Sequence, residues 1–255
     1  LRFYNSKEAD FRIRKGPIFS NIVLADEINR ATPKAQSALL ECMEEGQVTI
    51  DGNSFGLEKP FMVVATQNQI ETAGTYVLPE AQLDRFLMKL EMGYPDKNAE
   101  VEILNRFLSD NPITELGSVC KKQDIIDMKK QAKEVYIHPA LIEYIAELAG
   151  ATRKLSDVAI GISPRGSIAM VNAAKAYAYV KGRDYVVPSD IKELSVCVWA
   201  HRLVFGTGIV SKDGRAQAVN SAFAQVAVPT EEWTKYMNIV LMLIGVVVVY
   251  KILSV

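Results

Sequence analysis

No glycine in this sequence of 255 residues is followed by lysine. A Gly-x-x-x-x-Gly-Lys-Ser/Thr loop, whose backbone amides cradle phosphates, therefore does not occur within it. Cysteine is scarce too. Cys42, Cys120 and Cys197 lie far apart and form no Cys-x-x-Cys pair. That argues against a disulfide framework or a thiolate metal site, and for buried thiols in a reducing compartment. Two histidines, His138 and His201, are too few to suggest a metal site, and His138-Pro139 reads as a helix start. Neither sign of charge is in excess. A formal net charge of −1 gives no electrostatic case for a nucleic-acid partner, which usually needs a basic face. Internal repeats and low-complexity tracts are also missing, and the opening residues are not expected to be a signal peptide.

What remains is an ordinary globular composition, 49% hydrophobic and 23% charged, long enough for one large domain or two medium ones. The pivotal stretch is Asn21 to Arg30. Ile22-Val23-Leu24-Ala25 runs straight into Asp26-Glu27. A continuous apolar run of this kind predicts a strand buried on both faces of a parallel sheet. Acids at its carboxyl end stand where open α/β sheets place their ligand chemistry. One carboxylate can hold Mg²⁺ while the next activates a water against a phosphate.

Residues 1–20, with Phe3, Tyr4, Phe11 and Ile13 among charges, read as an irregular lead-in. Thr32 as N-cap, Pro33 in the first turn and Gly46 as stop predict a helix between them. Ala35, Ala38, Leu39, Cys42 and Met43 form its predicted apolar face. Gln47 to Ile50 and Ser54 to Leu57 flank Asp51-Gly52 as a hairpin. Phe61 to Thr66 is a second buried strand ending in Gln67-Asn68. Two such strands joined through a helix and a hairpin predict neighbours in one sheet whose carboxyl ends face one site. A short helix from Pro79 to Phe86, a third strand from Leu87 to Met92 and a helix from Lys97 to Leu108 follow. The last has Val101, Leu104, Phe107 and Leu108 on one side.

From about Pro112 the pattern turns helical, with helices expected over Asp124–Lys133, Pro139–Ala149, Pro164–Val180, Pro188–His201 and Arg215–Val226, and no further buried strand. Ser163 and Ser189 are the start signals. Finally, Met237 to Val255 is nineteen residues in which only Asn238, Lys251 and Ser254 are polar. At about 1.5 Å per residue such a helix is about 28 Å long, close to the hydrocarbon thickness of a bilayer. The expectation is a transmembrane helix, with Lys235 and Lys251 leaving its orientation open.

Taken together the motifs resemble a MoxR-type AAA+ ATPase. They are Gly16-Pro17-Ile18-Phe19, Ile22 to Arg30, Gln36 to Glu41, Ala65-Thr66-Gln67-Asn68, Gly74-Thr75-Tyr76, Glu80 to Phe86, Ile162-Ser163-Pro164-Arg165 and Gly182 to Val186. The resemblance implies an α/β fold class. Residues 1–111 would be a partial AAA+ core (a parallel sheet with flanking helices, its first strands missing). Residues 112–229 would be an all-α lid, and 230–255 a linker with the hydrophobic helix. It also implies roles. Asp26 and Glu27 resemble the Walker B pair, Asp26 for Mg²⁺ and Glu27 for the attacking water. Asn68 resembles sensor 1, Arg85 the arginine finger and Arg165 sensor 2. ATP and Mg²⁺ are the implied cofactors. The implied assembly is a homo-oligomeric, hexameric ring that acts as a chaperone on client proteins, some with von Willebrand factor A domains. The hairpin at Asp51-Gly52 resembles an insertion that can face the ring pore.

Two departures from that family shape the expectation. The missing phosphate loop and a first residue that is Leu1 lead us to expect a chain cut before the loop, with ATP bound poorly or not at all as it stands, and with apolar sheet edges exposed. The tail leads us to expect a cytoplasmic ATPase domain tethered to a membrane. Two other readings stand beside it: a non-hydrolysing AAA+-like scaffold or adaptor, and a DNA-remodelling AAA+ motor. The charge balance speaks against the second of these.

Overall fold

The structure, a computed structural model, describes residues 2–5, 10–13, 15–67, 74–108, 116–206 and 211–229. At 2–5, 10–13 and 212 it describes the backbone alone. The chain divides into two compact units, Leu1–Arg85 with Ser118–Asp127, and Phe86–Gly117 with Met128–Val255.

The first unit opens with an antiparallel pair, β1 (Arg2–Asn5) and β2 (Asp10–Ile13), in register from Arg2 opposite Ile13 to Asn5 opposite Asp10. This corrects the irregular lead-in expected from sequence. Each strand is only four residues long, and Arg2-Phe3-Tyr4-Asn5 does not alternate polar with apolar, so no period of two stands out. Next come β3 (Ile22–Ala25) and, after a 3₁₀ turn at Ile28–Arg30, α1 (Pro33–Glu45). The caps of α1 are those expected. The Thr32 hydroxyl accepts from the Ala35 amide at 3.4 Å, and Gly46 closes the helix at φ 64°, a left-handed conformation that glycine adopts without steric cost. Its buried side chains are Gln36, Leu40 and Cys42, whereas Ala35 and Ala38 are exposed. The apolar stripe read from sequence is thus rotated, because Gln36 turns inward to bond two carbonyls. The hairpin of β4 (Gln47–Ile50) and β5 (Asn53–Gly56) turns at Asp51 and Gly52, both with positive φ, as a two-residue hairpin turn requires. Cys42, Val48 and Leu57 pack together beneath it with Ile18, Phe19, Ile50 and Phe61.

Strand β6 (Met62–Ala65) pairs with β3 in parallel, Ile22 opposite Met62 and Ala25 opposite Ala65. The expected neighbourhood of these strands holds. Burial on both faces does not. Ile22 and Leu24 are each 65% exposed, and Met62 and Val64, their register partners, lie exposed beside them. A strand is buried twice only when layers cover both faces, and the described residues supply a layer on one side. The unit continues with α2 (Glu80–Leu83).

In the second unit the segment Leu87 to Met92 is not a strand, and Leu90 and Met92 are exposed. An apolar run makes a strand only where a partner offers its backbone groups, and among the described residues the backbone bond found here is Lys89 N–H to the Cys197 carbonyl, 2.8 Å. Helix α3 (Lys97–Phe107) is capped by Asp96, whose carboxylate accepts from the Ala99 amide at 2.8 Å. Val101, Leu104, Phe107 and Leu108 on it are exposed. Helix α4 (Lys122–Glu134) begins with the first unit and ends with the second.

The core of the second unit is helical: α5 (Pro139–Thr152), α6 (Pro164–Val180), α7 (Pro188–Trp199) and α8 (Lys212–Gln225). Leu141, Ile145 and Leu148 of α5, Met170 and Ala174 of α6, Ile191, Val198 and Trp199 of α7 and Val219 of α8 are buried in one cluster. Ala169, Ala173 and Ala178 of α6 are buried in the same cluster. His138 caps α5 as expected, its Nδ1 accepting from the Ala140 amide at 3.2 Å, and Ser163 caps α6 through the Gly166 amide at 3.2 Å. Ser189 does not cap α7. The Asp190 carboxylate does so, reaching back to the Val187 amide at 2.9 Å. A small antiparallel pair, β7 (Val158–Ile160) and β8 (Val204–Phe205), was not expected. Among the described residues no helix is long and apolar enough to cross a membrane. The expected transmembrane segment 237–255 lies outside the described residues.

Candidate active site

The site grows from the carboxyl ends of β3 and β6. Because Ala25 faces Ala65 across the parallel ladder, Asp26 and Thr66 leave the sheet side by side. The Thr66 hydroxyl donates to Asp26 Oδ1 at 2.6 Å, and its oxygen accepts from the Glu27 amide at 2.9 Å. The backbone continues the pairing: Thr66 N–H donates to the Ala25 carbonyl at 3.1 Å, and Ile28 N–H to the Thr66 carbonyl at 3.0 Å. One threonine thus fixes both acidic residues.

Glu27 is held in an unusual state. Its φ of 49° and ψ of 52° are left-handed, which costs a residue with a Cβ roughly 1–2 kcal/mol. Such strain persists where the surroundings over-determine it. Here the surroundings are the Thr66 bond, the 3₁₀ turn after it and Arg30, whose Nε lies 3.3 Å from Glu27 Oε2. Below the turn, the buried Gln36 amide donates to the carbonyls of Ile28 at 3.1 Å and Tyr76 at 2.9 Å. Tyr76 N–H donates to the Asn29 carbonyl at 2.6 Å. The acidic pair therefore rests on a hydrogen-bonded base and not on a free loop.

The chemistry of this donor set suits a hydrated magnesium ion. Asp26 is exposed, and the threonine bond engages Oδ1, leaving Oδ2 outside it. Mg²⁺ characteristically takes one or two carboxylates, keeps several waters and draws its other ligands from substrate phosphates. Among the described residues no group of three or more His, Cys, Asp or Glu could hold a metal alone. Asp26 fits as one ligand of a shared site.

Residues 1–88 match the ATPase family associated with various cellular activities (AAA), and residues 150–225 match the AAA lid domain. The uncharacterized protein YeaC of Bacillus subtilis is 48% identical over 232 residues, covering 91% of this chain and 72% of YeaC. The chaperone MoxR1 of Mycobacterium tuberculosis is 40% identical over 238 residues, covering 89% of this chain and 63% of MoxR1. The chain belongs to the MoxR family of AAA+ ATPases. A crystal structure of a candidate ATPase from Cytophaga hutchinsonii superimposes with a TM-score of 0.81 at 38% identity, over 90% of this chain and 73% of that one. The AAA+ fold with its helical lid, expected from the motifs, is thereby borne out.

The other MoxR-type positions are distributed as follows. Asn68 lies outside the described residues. Arg85 follows α2 in the first unit, where its Nη1 meets Glu44 Oε2 of α1 at 2.8 Å with side-chain exposures of 35% and 38%. A pair this exposed contributes about 0–1 kcal/mol, so Glu44 orients Arg85 without sequestering it. Arg165 stands in the second unit as the second residue of α6 and is exposed. A cation at a helix N-terminus opposes the helix dipole, so its placement is not a matter of helix stability. Thr66 was missed as a site residue. It was visible as the polar residue ending an apolar run, but its level with Asp26 follows from the strand register. Cys42 is buried, and burial raises its thiol pKa, as it does for half-buried Cys197. Cys120 is exposed, which corrects the expectation that all the thiols are buried.

Proposed function

We propose that this MoxR-family protein hydrolyses ATP with Mg²⁺ and uses the resulting motion to remodel or mature other proteins. The observation that carries the reading is the threonine-locked acidic pair, with a strained Glu27 at the paired carboxyl ends of two parallel strands. Asp26 would hold Mg²⁺, which when bound neutralises charge on the transferring phosphate. Glu27 polarises the attacking water, and Asn68 orients it. Arg85, acting on a neighbouring copy in a hexameric ring, and Arg165, acting from the lid, stabilise negative charge that develops on the phosphate. The 255 residues hold no phosphate-cradling loop, so turnover belongs to a longer chain that carries one. Client proteins with von Willebrand factor A domains fit this reading, and nucleic acid does not.

The test is Glu27→Gln in the full-length protein. Nucleotide binding is retained and ATP turnover falls to background. Turnover at the wild-type rate refutes the role of Glu27. On sequence alone we further assign residues 237–255 to a membrane anchor. Carbonate-resistant membrane association that persists after their deletion overturns that assignment.

A further inference from the structure

A second set of strong contacts lies wholly within the second unit and outside the site described above. Arg202 follows α7 and is only 6% exposed. Its guanidinium donates from Nη2 to the Phe86 carbonyl at 2.6 Å, from Nη1 to the Leu87 carbonyl at 3.2 Å, and from Nη1 to the Val198 carbonyl. His201 Nε2 reaches the same Phe86 carbonyl at 3.2 Å. The end of its stem next to the guanidinium packs against Gly166. A Cβ on Gly166 would come within 3.1 Å of Arg202 Cδ and 2.8 Å of Ile162 Cγ2, so the absence of a side chain at 166 makes room for the stem. Trp199 Nε1 donates to the Gly166 carbonyl at 3.0 Å and holds that backbone in place.

Burying a guanidinium costs several kcal/mol unless its donors are satisfied. A hydrophobic side chain would fill this space at lower cost. What arginine adds is a planar fork that grips successive carbonyls in a fixed geometry. The guanidinium grips the segment that starts at Phe86, and its stem lies against Gly166, the residue after Arg165. One rigid side chain therefore packs beside the start of the helix that carries an arginine assigned to the phosphate.

We propose that Arg202 is a positioning residue for hydrolysis, tying the segment at Phe86 and Leu87 to the start of the helix that carries Arg165. It touches no nucleotide; it acts by fixing the backbone from which Arg165 departs. This rests on the phosphate role of Arg165. An orientation error of an ångström in a charged group is enough to slow a positioned reaction strongly, whereas ground-state nucleotide binding, spread over many contacts, changes little.

The experiment uses the full-length protein and compares Arg202→Lys with wild type. Lysine keeps the stem over Gly166 and loses the fork. The expected result is a kcat lowered about tenfold with KM and ATP affinity within about twofold. Added to Arg165→Ala, Arg202→Lys lowers kcat by less than it does alone, as coupled residues require. Gly166→Ala, which leaves the guanidinium in place but crowds its stem, also lowers kcat with affinity retained, and serves where the lysine variant does not fold. A kcat within about twofold of wild type in a folded variant, or a loss that multiplies fully with that of Arg165→Ala, overturns the proposal. Failure of the underlying reading has a different signature: Arg165→Ala itself turns over at the wild-type rate.

Discussion

Thr66→Val separates the role of the threonine hydroxyl from the role of its shape. Valine preserves the branched side chain and the strand, and deletes one oxygen. That oxygen makes two bonds, donating to Asp26 Oδ1 at 2.6 Å and accepting from the Glu27 amide at 2.9 Å. Both are exposed, so in the resting protein water replaces them and the stability cost is about 1 kcal/mol. For a protein of this size that is a fall of about 2–4 °C in melting temperature. Under the proposed function the balance differs during turnover: bound nucleotide would fill the site and exclude water, and a bond to an ionised group is worth about 1.5–3 kcal/mol. At 1.36 kcal/mol per factor of ten, the loss of oriented carboxylates slows turnover about 10- to 150-fold. The assay is steady-state ATP hydrolysis by the full-length protein across a Mg²⁺ titration, beside a thermal melt. Thr66→Ser, which keeps the oxygen, recovers turnover to within about threefold of wild type. The reasoning fails if Thr66→Val hydrolyses ATP at the wild-type rate with unaltered Mg²⁺ dependence. It fails equally if serine does no better than valine.

Three further outcomes are expected. Arg183 meets the buried Asp190 carboxylate in a two-pronged ion pair, at 2.9 and 2.6 Å, and the same carboxylate caps α7; Asp190→Ala therefore costs about 3 kcal/mol, and a melt lowered by less than about 3 °C contradicts that. A Cβ on Gly161 would meet the Arg153 backbone nitrogen at 2.7 Å, so Gly161→Ala destabilises the second unit by about 1–3 kcal/mol through overpacking, read by chemical denaturation; unchanged stability refutes the close approach. Burial raises the thiol pKa of Cys42 and Cys197, so near neutral pH less of their reactive thiolate forms. A thiol reagent titrated into native protein labels exposed Cys120 first and the others only on unfolding, and equal labelling rates at all three refute this.

How far the sequence carried depended on the range of the interactions involved. Helix limits were legible because their signals are local. Thr32-Pro33 and Gly46, or Ser163-Pro164, place a cap, a fixed φ and a left-handed stop within a few residues of the helix they bound. Burial was less legible, since it depends on what lies above a face. Ile22 and Leu24 are as apolar as any core strand and yet are exposed, and the Leu87 to Met92 run forms no strand where no edge receives it. Polar residues that turn inward were the hardest to see. Gln36 sits in the first turn of α1, where pattern reading puts a solvated side chain, but the carbonyls of Ile28 and Tyr76 draw it in.

The same distinction explains which residues could be singled out beforehand. Asp26 and Glu27 could be read because their meaning lies in position along one strand. Thr66 and Arg202 could not, because theirs lies in register and in contacts across 40 and 116 residues of chain. Glu27 joins the two kinds of information. Its identity is written in the sequence, but its left-handed backbone comes with a residue on the next strand holding its amide. Under the proposed function, a backbone held that way aims the carboxylate before nucleotide binds. Aim of that kind is what phosphoryl transfer, which depends on positioning more than on covalent chemistry, requires.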